Sequence, residues 1–384
     1  MEKTVLLSRN VRPDMYGGGE TYQLLLAEEL KENGFLPVIV TSSDALLKNA
    51  RKKGFMAVEA PFCSRQNWSG IRNILLPEYV VWQMKLKRWY NKLFKEYKPS
   101  VVNIQSRDDW IAATTAAEKM GVRVLWTDHM DFRSWVLVNV DKKYKNTIGK
   151  WILKCARNAY RIIMIADSEE RFLKHIDMSR ELKNVTVIKN GVKDKRAKYA
   201  KKPKSGSFCY VGRIIDYKGV KELINAFKEV EERHNDVTLD IYGSGDADYV
   251  KECMKMAEGC KGIRFCGYTD EPLKVMAENE IFVLPSYIEG LSLSLLDAAM
   301  MGKKIIASDV GGNSEVIEDG KTGVLISPRS VVELEKAMMW MLDNKEKADI
   351  MAKNARDKYL ENYNFDEIFA KQMLPLYNVE KEKK

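Results

Sequence analysis

The sequence predicts an α/β protein built from two doubly wound parallel sheets. Three observations carry that expectation. Short apolar runs recur along the chain, helical patterns long enough to cross back over a sheet separate them, and one lysine-rich, apolar-poor stretch interrupts the alternation near the middle. A chain of 384 residues suits about two such domains.

The elements follow in order. TVLLS (4–8) leads through a glycine turn into the amphipathic stretch ETYQLLLAEELKENG (20–34), and PVIVTS (37–42) follows. SVVNIQS (100–106), the alanine-rich stretch WIAATTAAEKMG, VRVLWTD (122–128), RIIMIADS (161–168) and NVTVIKN (184–190) continue the pattern. After the break come SFCYVGR (207–213), VTLDIYGSG, IRFCGY, IFVLPS and KIIASD. Apolar runs bounded by turn residues and spaced by helices read as β-α-β units. One sheet holding all of them would be unusually wide, so two sheets are the better packing solution. The stretch KDKRAKYAKKPKSG has the composition of an exposed linker. The first domain is therefore placed at 1–193, the linker at 194–206 and the second domain at 207–363.

Composition narrows the function classes. Hydrophobic residues make up 45% and charged residues 30%, the balance of a globular chain rather than a disordered one. No apolar run reaches the ~18 residues of a membrane span, and MEKTVLLSRN reads as a first strand rather than a secretory leader. Cys63, Cys155, Cys209, Cys253, Cys260 and Cys266 form no C-x-x-C pair and read as reduced thiols of a cytoplasmic protein. Only three histidines occur, and no metal site is expected. The net charge of +9 suits phosphorylated ligands, anionic lipid or nucleic acid. No nucleic-acid partner is expected, because the basic residues are dispersed and no recognition module appears.

Two strand-to-helix turns read as anion sites. Gly17, Gly18 and Gly19 let a ligand approach the main chain at the start of a helix, whose free N–H groups and dipole favour anions. A structural tight turn accounts for the same residues. In VGRIIDYKGVKELINAF (211–227), Arg213 and Lys218 follow a strand at the edge where open α/β sheets bind ligands. At PSYIEGLSLSLLD (285–297), Gly290, Leu291 and Ser292 offer N–H groups at another helix start. Two cations facing a helix N-terminus suit a diphosphate. Glu289 and Asp297 bracket that turn.

Taken in order, these motifs resemble a retaining GT-B glycosyltransferase of the large family that includes sucrose synthase, glycogen synthase and bacterial mannosyl- and N-acetylglucosaminyltransferases. The likeness runs through Gly17-Gly18-x-Glu20, His129 after VRVLWTD, Ser168, Asn190-Gly191, VGR-x4-KG (211–219), PSYIEGLSLSLLDAAMMG (285–302) and ASDVGGNSEVIEDGKTGVLI (307–326). It implies two Rossmann-like domains facing a cleft, with 364–384 a C-terminal helix that packs back on the N-terminal domain through Phe365, Ile368, Phe369 and Leu374. The family's acidic signature is E-x7-E. Its first position is Glu289 here and its second is Asp297, one methylene shorter.

The resemblance further implies that Glu289 contacts hydroxyls of the transferred sugar, that Asp297 holds the ribose, and that Arg213 and Lys218 stabilise the leaving diphosphate. It places His129 near the sugar's reactive carbon and Tyr268 against the nucleobase, and it implies a nucleoside-diphosphate sugar donor, a glycan or lipid-linked acceptor, and no metal or other cofactor. His129 also reads as a strand-end histidine satisfying local hydrogen bonds, and Tyr268 as simple packing. A sugar-nucleotide 2-epimerase and a non-catalytic sugar-nucleotide-binding protein share the fold.

Residues 81–98, VWQMKLKRWYNKLFKEYK, carry six basic side chains and one acidic one, with Trp82, Leu86, Trp89, Tyr90, Leu93 and Tyr97 on a helical stripe. Two readings stay open. The stripe faces the domain's own core, or the helix lies on an anionic membrane surface, making the protein peripheral on the inner face of the cytoplasmic membrane.

Overall fold

The computed structural model describes residues 3–14, 16–61, 76–129, 147–175, 182–199 and 201–379. Cys63, Ala200 of the linker and residues 380–384 lie outside them. Contacts divide the chain into two units, Met1–Ile188 with Phe369–Lys384, and Lys189–Ile368. Residues 189–206 and 364–368 thus group with the second unit.

The first unit holds seven parallel strands, β1 (Lys3–Arg9), β2 (Phe35–Thr41), β3 (Met56–Glu59), β4 (Val101–Ile104), β5 (Arg123–Asp128), β6 (Arg161–Met164) and β7 (Val185–Val187), in the order β3-β2-β1-β4-β5-β6-β7. The second holds six, β8 (Lys204–Val211), β9 (Thr238–Tyr242), β10 (Ile263–Gly267), β11 (Asn279–Leu284), β12 (Lys304–Ser308) and β13 (Val324–Ile326), in the order β10-β9-β8-β11-β12-β13, again all parallel. Helices cover both faces of such sheets, which is why central strands such as VVNI and IFVL are buried throughout and, Asn103 apart, apolar. In each sheet the strand order reverses once, between β1 and β4 and between β8 and β11. Those reversals are the topological switch points where ligands bind at the carboxyl edge of open α/β sheets.

The stripe of the helix Leu76–Tyr97 faces its own core. Leu86, Tyr90, Leu93 and Phe94 are buried there, with Trp82, Trp89 and Tyr97 packed against them. Lys85, Arg88, Lys92 and Lys95 are exposed on the opposite side, together with Val81 and Met84. Trp110 and Trp126 stack in the same core at 4.5 Å, and the indole N–H of Trp126 donates to Thr114 Oγ1 at 2.9 Å. The five described cysteines are free thiols.

The C-terminal segment is anchored in the first unit by specific bonds. Asn103 Nδ2 donates to the Tyr377 hydroxyl at 2.6 Å, Arg123 Nη1 donates to Leu376 O at 3.0 Å, and Tyr22 donates to Met373 Sδ at 3.2 Å. Of the four apolar residues expected on its packing face, Phe369 and Leu374 belong to this unit, while Phe365 and Ile368 belong to the second. Tyr377 is fully buried. Tyr377→Ala is therefore expected to destabilise the first unit by about 3–5 kcal/mol, read as a lower urea midpoint; an unchanged midpoint contradicts the anchoring.

Candidate active site

The second unit assembles its chemistry at the β8/β11 switch point. Strand β8 ends at Val211 and delivers Arg213, then a single 3-10 turn, Asp216–Lys218, before the helix Val220–Arg233. Strand β11 ends at Leu284 and delivers Glu289 before the helix Leu293–Met301. Neither helix has a side-chain N-cap, so both begin with unsatisfied N–H groups at adjacent strand ends. Ser292, the N-cap residue of the second, shares its hydroxyl with Ser294 at 3.1 Å instead.

Lys218 Nζ donates to Glu289 Oε1 at 2.6 Å, and both side chains are largely buried, 14% and 9% exposed. Arg213 Nη2 donates to the Tyr217 hydroxyl at 2.5 Å. The amide N–H of Tyr287 donates to the Tyr217 carbonyl at 2.7 Å, which ties the β11 loop to the β8 loop. The two loops touch closely enough that a Cβ at Gly219, where φ is +69°, would stand 2.1 Å from Pro285 O. The acidic turn is braced from beyond as well. Gly312 N donates to Gly290 O at 2.6 Å, and a Cβ at Gly311 would stand 1.9 Å from Glu289 O. Asn190 Nδ2 donates to Leu291 O at 3.2 Å, and the Leu291 side chain is buried.

The structure therefore brings Arg213, Lys218, Glu289 and Gly290 together on adjoining loops. Asp297 lies farther along, within the helix Leu293–Met301. Burial pushes its carboxyl up to about 7, against the opposing pull of Lys195. Tyr268 follows β10 and is 64% exposed.

Gly17, Gly18 and His129 belong to the first unit, at the carboxyl edges of β1 and β5. Gly17 is the uncapped N-cap of the helix Gly18–Glu32. Arg9 Nε donates to Glu20 Oε1 at 2.6 Å in a buried pair. A Cβ at Gly19 would stand 2.2 Å from Arg9 Nη2, so the third glycine makes room for that guanidinium. His129 Nε2 lies 3.1 Å from Gln105 Oε1, and the ring meets Tyr22 edge-on at 4.8 Å. Burial, and then the charge of Arg9, hold its pKa well below the usual imidazole value. The ring is neutral at pH 7, able to donate or accept but not to act as a cation.

Sequence reasoning assigned no role to Arg9, Gln105, Tyr217 or Gly311, and it gave Gly19 to ligand approach rather than to the room it leaves for Arg9. For Gly311 the signal was present in the VGGN turn, while Arg9, Gln105 and Tyr217 carry no local mark. Among the described residues no cluster of His, Cys, Asp and Glu is arranged to hold a metal ion, and no helix is long and apolar enough to cross a membrane.

Comparison with known proteins bears on family and fold. The family described as Glycosyl transferases group 1 matches residues 191–358, and Glycosyltransferase Family 4 matches residues 16–196. Glycogen synthase from Mycobacterium tuberculosis (strain CDC 1551 / Oshkosh) is 32% identical over 287 residues, 71% of this chain and 67% of that protein. The crystal structure of Anabaena Alr3699/HepE in complex with UDP and glucose superposes with a TM-score of 0.77 at 16% identity, covering 99% of this chain and 100% of that one. An S. aureus TarM mutant in complex with fondaparinux, alpha-GlcNAc-glycerol and UDP gives 0.73 at 16% identity, covering 98% and 100%. The chain belongs to the Glycosyl transferases group 1 family and is a GT-B glycosyltransferase.

Proposed function

We propose that the protein moves a hexosyl or N-acetylhexosaminyl group from a UDP- or GDP-linked sugar to an acceptor hydroxyl, with retention of anomeric configuration and without a metal ion. The acceptor is a glycan or lipid-linked glycan of surface polysaccharide, glycolipid or other glycoconjugate synthesis. One observation carries this reading: two cations and two uncapped helix N-termini converge at a single switch point with a carboxylate between them.

In this mechanism the bond between the anomeric carbon and the diphosphate oxygen breaks, and the electron pair leaves with the diphosphate. Arg213, Lys218 and the N–H groups around Gly290, Leu291 and Ser292 stabilise that charge, in place of a divalent ion. The acceptor oxygen bonds to the anomeric carbon on the same face, and its proton passes to the departing phosphate. Glu289 orients the sugar through its hydroxyls. His129, neutral, accepts or donates a hydrogen bond near the reacting carbon, and Gly17 and Gly18 let the donor approach the main chain. Tyr268 stands against the base. Asp297 holds the ribose hydroxyls as a carboxylate.

The last role has a pH signature. A folded-state pKa raised to about 7 favours the protonated acid. The fold gains from that proton below the carboxyl's unperturbed value and loses the gain as pH rises through 7. Donor binding has the opposite sign, because it uses the ionised form. Donor affinity is expected to weaken by up to about tenfold per pH unit below 7 and to lose that dependence in Asp297→Asn. A flat wild-type profile contradicts the assignment.

The test of the reading is a panel of UDP- and GDP-sugars screened by thermal shift. It is followed by transfer and hydrolysis assays with excess EDTA and by a donor-only incubation. Transfer or hydrolysis in EDTA supports the proposal. Epimerisation without acceptor replaces it with an epimerase, and absence of any nucleotide-sugar binding removes it.

The exposed Lys85, Arg88, Lys92 and Lys95 favour a second element, peripheral attachment to anionic lipid. Because the aromatic stripe is in the core, this attachment is electrostatic and sensitive to salt. Co-sedimentation with liposomes containing anionic lipid checks it; no binding at low salt rejects it.

A further inference from the structure

We propose that Tyr217 is the positioning residue of the diphosphate site, holding Arg213 in its ligand-ready orientation. The inference rests on the phosphate role given above to Arg213 and Lys218. Tyr217 sits inside the 3-10 turn that links β8 to its helix, and it meets both cations and the opposite loop. Its hydroxyl accepts from Arg213 Nη2, the Arg213 guanidinium lies 5.7 Å from its ring centroid, and the Lys218 ammonium lies 5.8 Å from the same point. Its carbonyl accepts the Tyr287 N–H, two residues before Glu289.

The physical consequence is restriction. A free arginine side chain loses rotamer entropy when a ligand captures it. Arg213 has already lost part of that freedom to a hydroxyl and a ring face. One guanidinium N–H is spent on Tyr217, leaving the rest of the fork for phosphate oxygens. The main-chain bond to Tyr287 keeps the same turn in register with the acidic loop. Removal of the hydroxyl alone leaves the ring contacts and the main-chain bond in place and frees the guanidinium to sample other rotamers.

The test is a double-mutant cycle on nucleoside-diphosphate binding, measured calorimetrically with UDP and GDP, which needs no acceptor. Tyr217→Phe is expected to weaken the better-bound nucleotide about fivefold, with an unchanged thermal midpoint. In an Arg213→Ala background the same substitution is expected to change binding less than twofold. Wild-type affinity in Tyr217→Phe overturns the proposal, and so does an equal loss in both backgrounds, which would mean that Tyr217 acts without Arg213. Wild-type affinity in Arg213→Ala itself defeats the phosphate assignment, and this inference falls with it. A lowered midpoint in Tyr217→Phe with loss in both backgrounds identifies Tyr217 as structural and also overturns it.

Discussion

Arg213→Ala and Lys218→Ala are each expected to lower kcat by two to three orders of magnitude, about 2.7–4 kcal/mol in the barrier. The reason is where the charge appears. Breaking the bond to the diphosphate concentrates negative charge at the leaving oxygen, and the strand ends of β8 and β11 are the place where fixed positive charge is already arranged. Water that replaced either side chain would have to reorganise as the bond broke, whereas the cations do not. The folded state does not depend on Arg213 for its core, which in this unit is built from Phe208, Tyr210, Leu223, Phe227 and their neighbours. The thermal midpoint of Arg213→Ala should therefore stay close to wild type while turnover collapses. Lys218→Ala also leaves Glu289 without its partner. Its double variant with Glu289→Gln separates loss of the cation from the cost of a bared carboxylate. Wild-type kcat in Arg213→Ala, or in the double variant, would reject the assigned roles.

Gly311→Ala is expected to reduce kcat/KM by about a hundredfold through geometry alone. Residue 311 adopts φ +55°, and its missing side chain is the space filled by the Glu289 carbonyl. An added methyl cannot coexist with that oxygen at 1.9 Å, so the acidic turn has to move. The left-handed backbone adds roughly 1–3 kcal/mol of strain to the variant. Glu289 and the N–H groups after it shift together, while Arg213 stays with Tyr217. A steady-state assay beside a melting curve distinguishes the two effects. A variant that loses stability but retains wild-type kcat/KM shows that the turn at 311 does not place the acid.

Much of this architecture is legible in the chain because parallel strands covered on both faces are largely apolar. VVNI, VLW and IFVL announce themselves. The two strands that escape a reading of that kind, β3 and β13, each lie at a sheet edge. Strand β3, MAVE, has no fully buried residue, and β13, VLI, is three residues long within a motif whose turn chemistry dominates. Both are held by pairing with a neighbour more than by their own burial. Arg213, Lys218 and Glu289 were legible because they stand in strand-to-helix turns, at the carboxyl edge where open α/β sheets bind ligands. Arg9 was not, because folding brings its partners close, and Tyr217 was not, because a spacing of four residues does not announce a turn that folds its hydroxyl back onto Arg213. Arg9 reaches Glu20 and Gln105, and nothing in its own neighbourhood marks that destination. The aromatic stripe at 82–97 was ambiguous for another reason, since an amphipathic helix has the same periodicity whether its apolar side meets a core or a lipid.

The contact between Lys218 and Glu289 bears on which anions the resting protein admits. Its lysine is already neutralised, so an incoming phosphate must evict a carboxylate before it can take the ammonium. Orthophosphate or pyrophosphate offers that displaced acid nothing in return and adds a repelling charge beside it. A sugar diphosphate hands the acid a hydroxyl as it claims the lysine. On the roles assigned here, the pair makes entry an exchange of partners that a glycosylated ligand completes, whereas a bare diphosphate takes the lysine at the cost of leaving Glu289 without a partner.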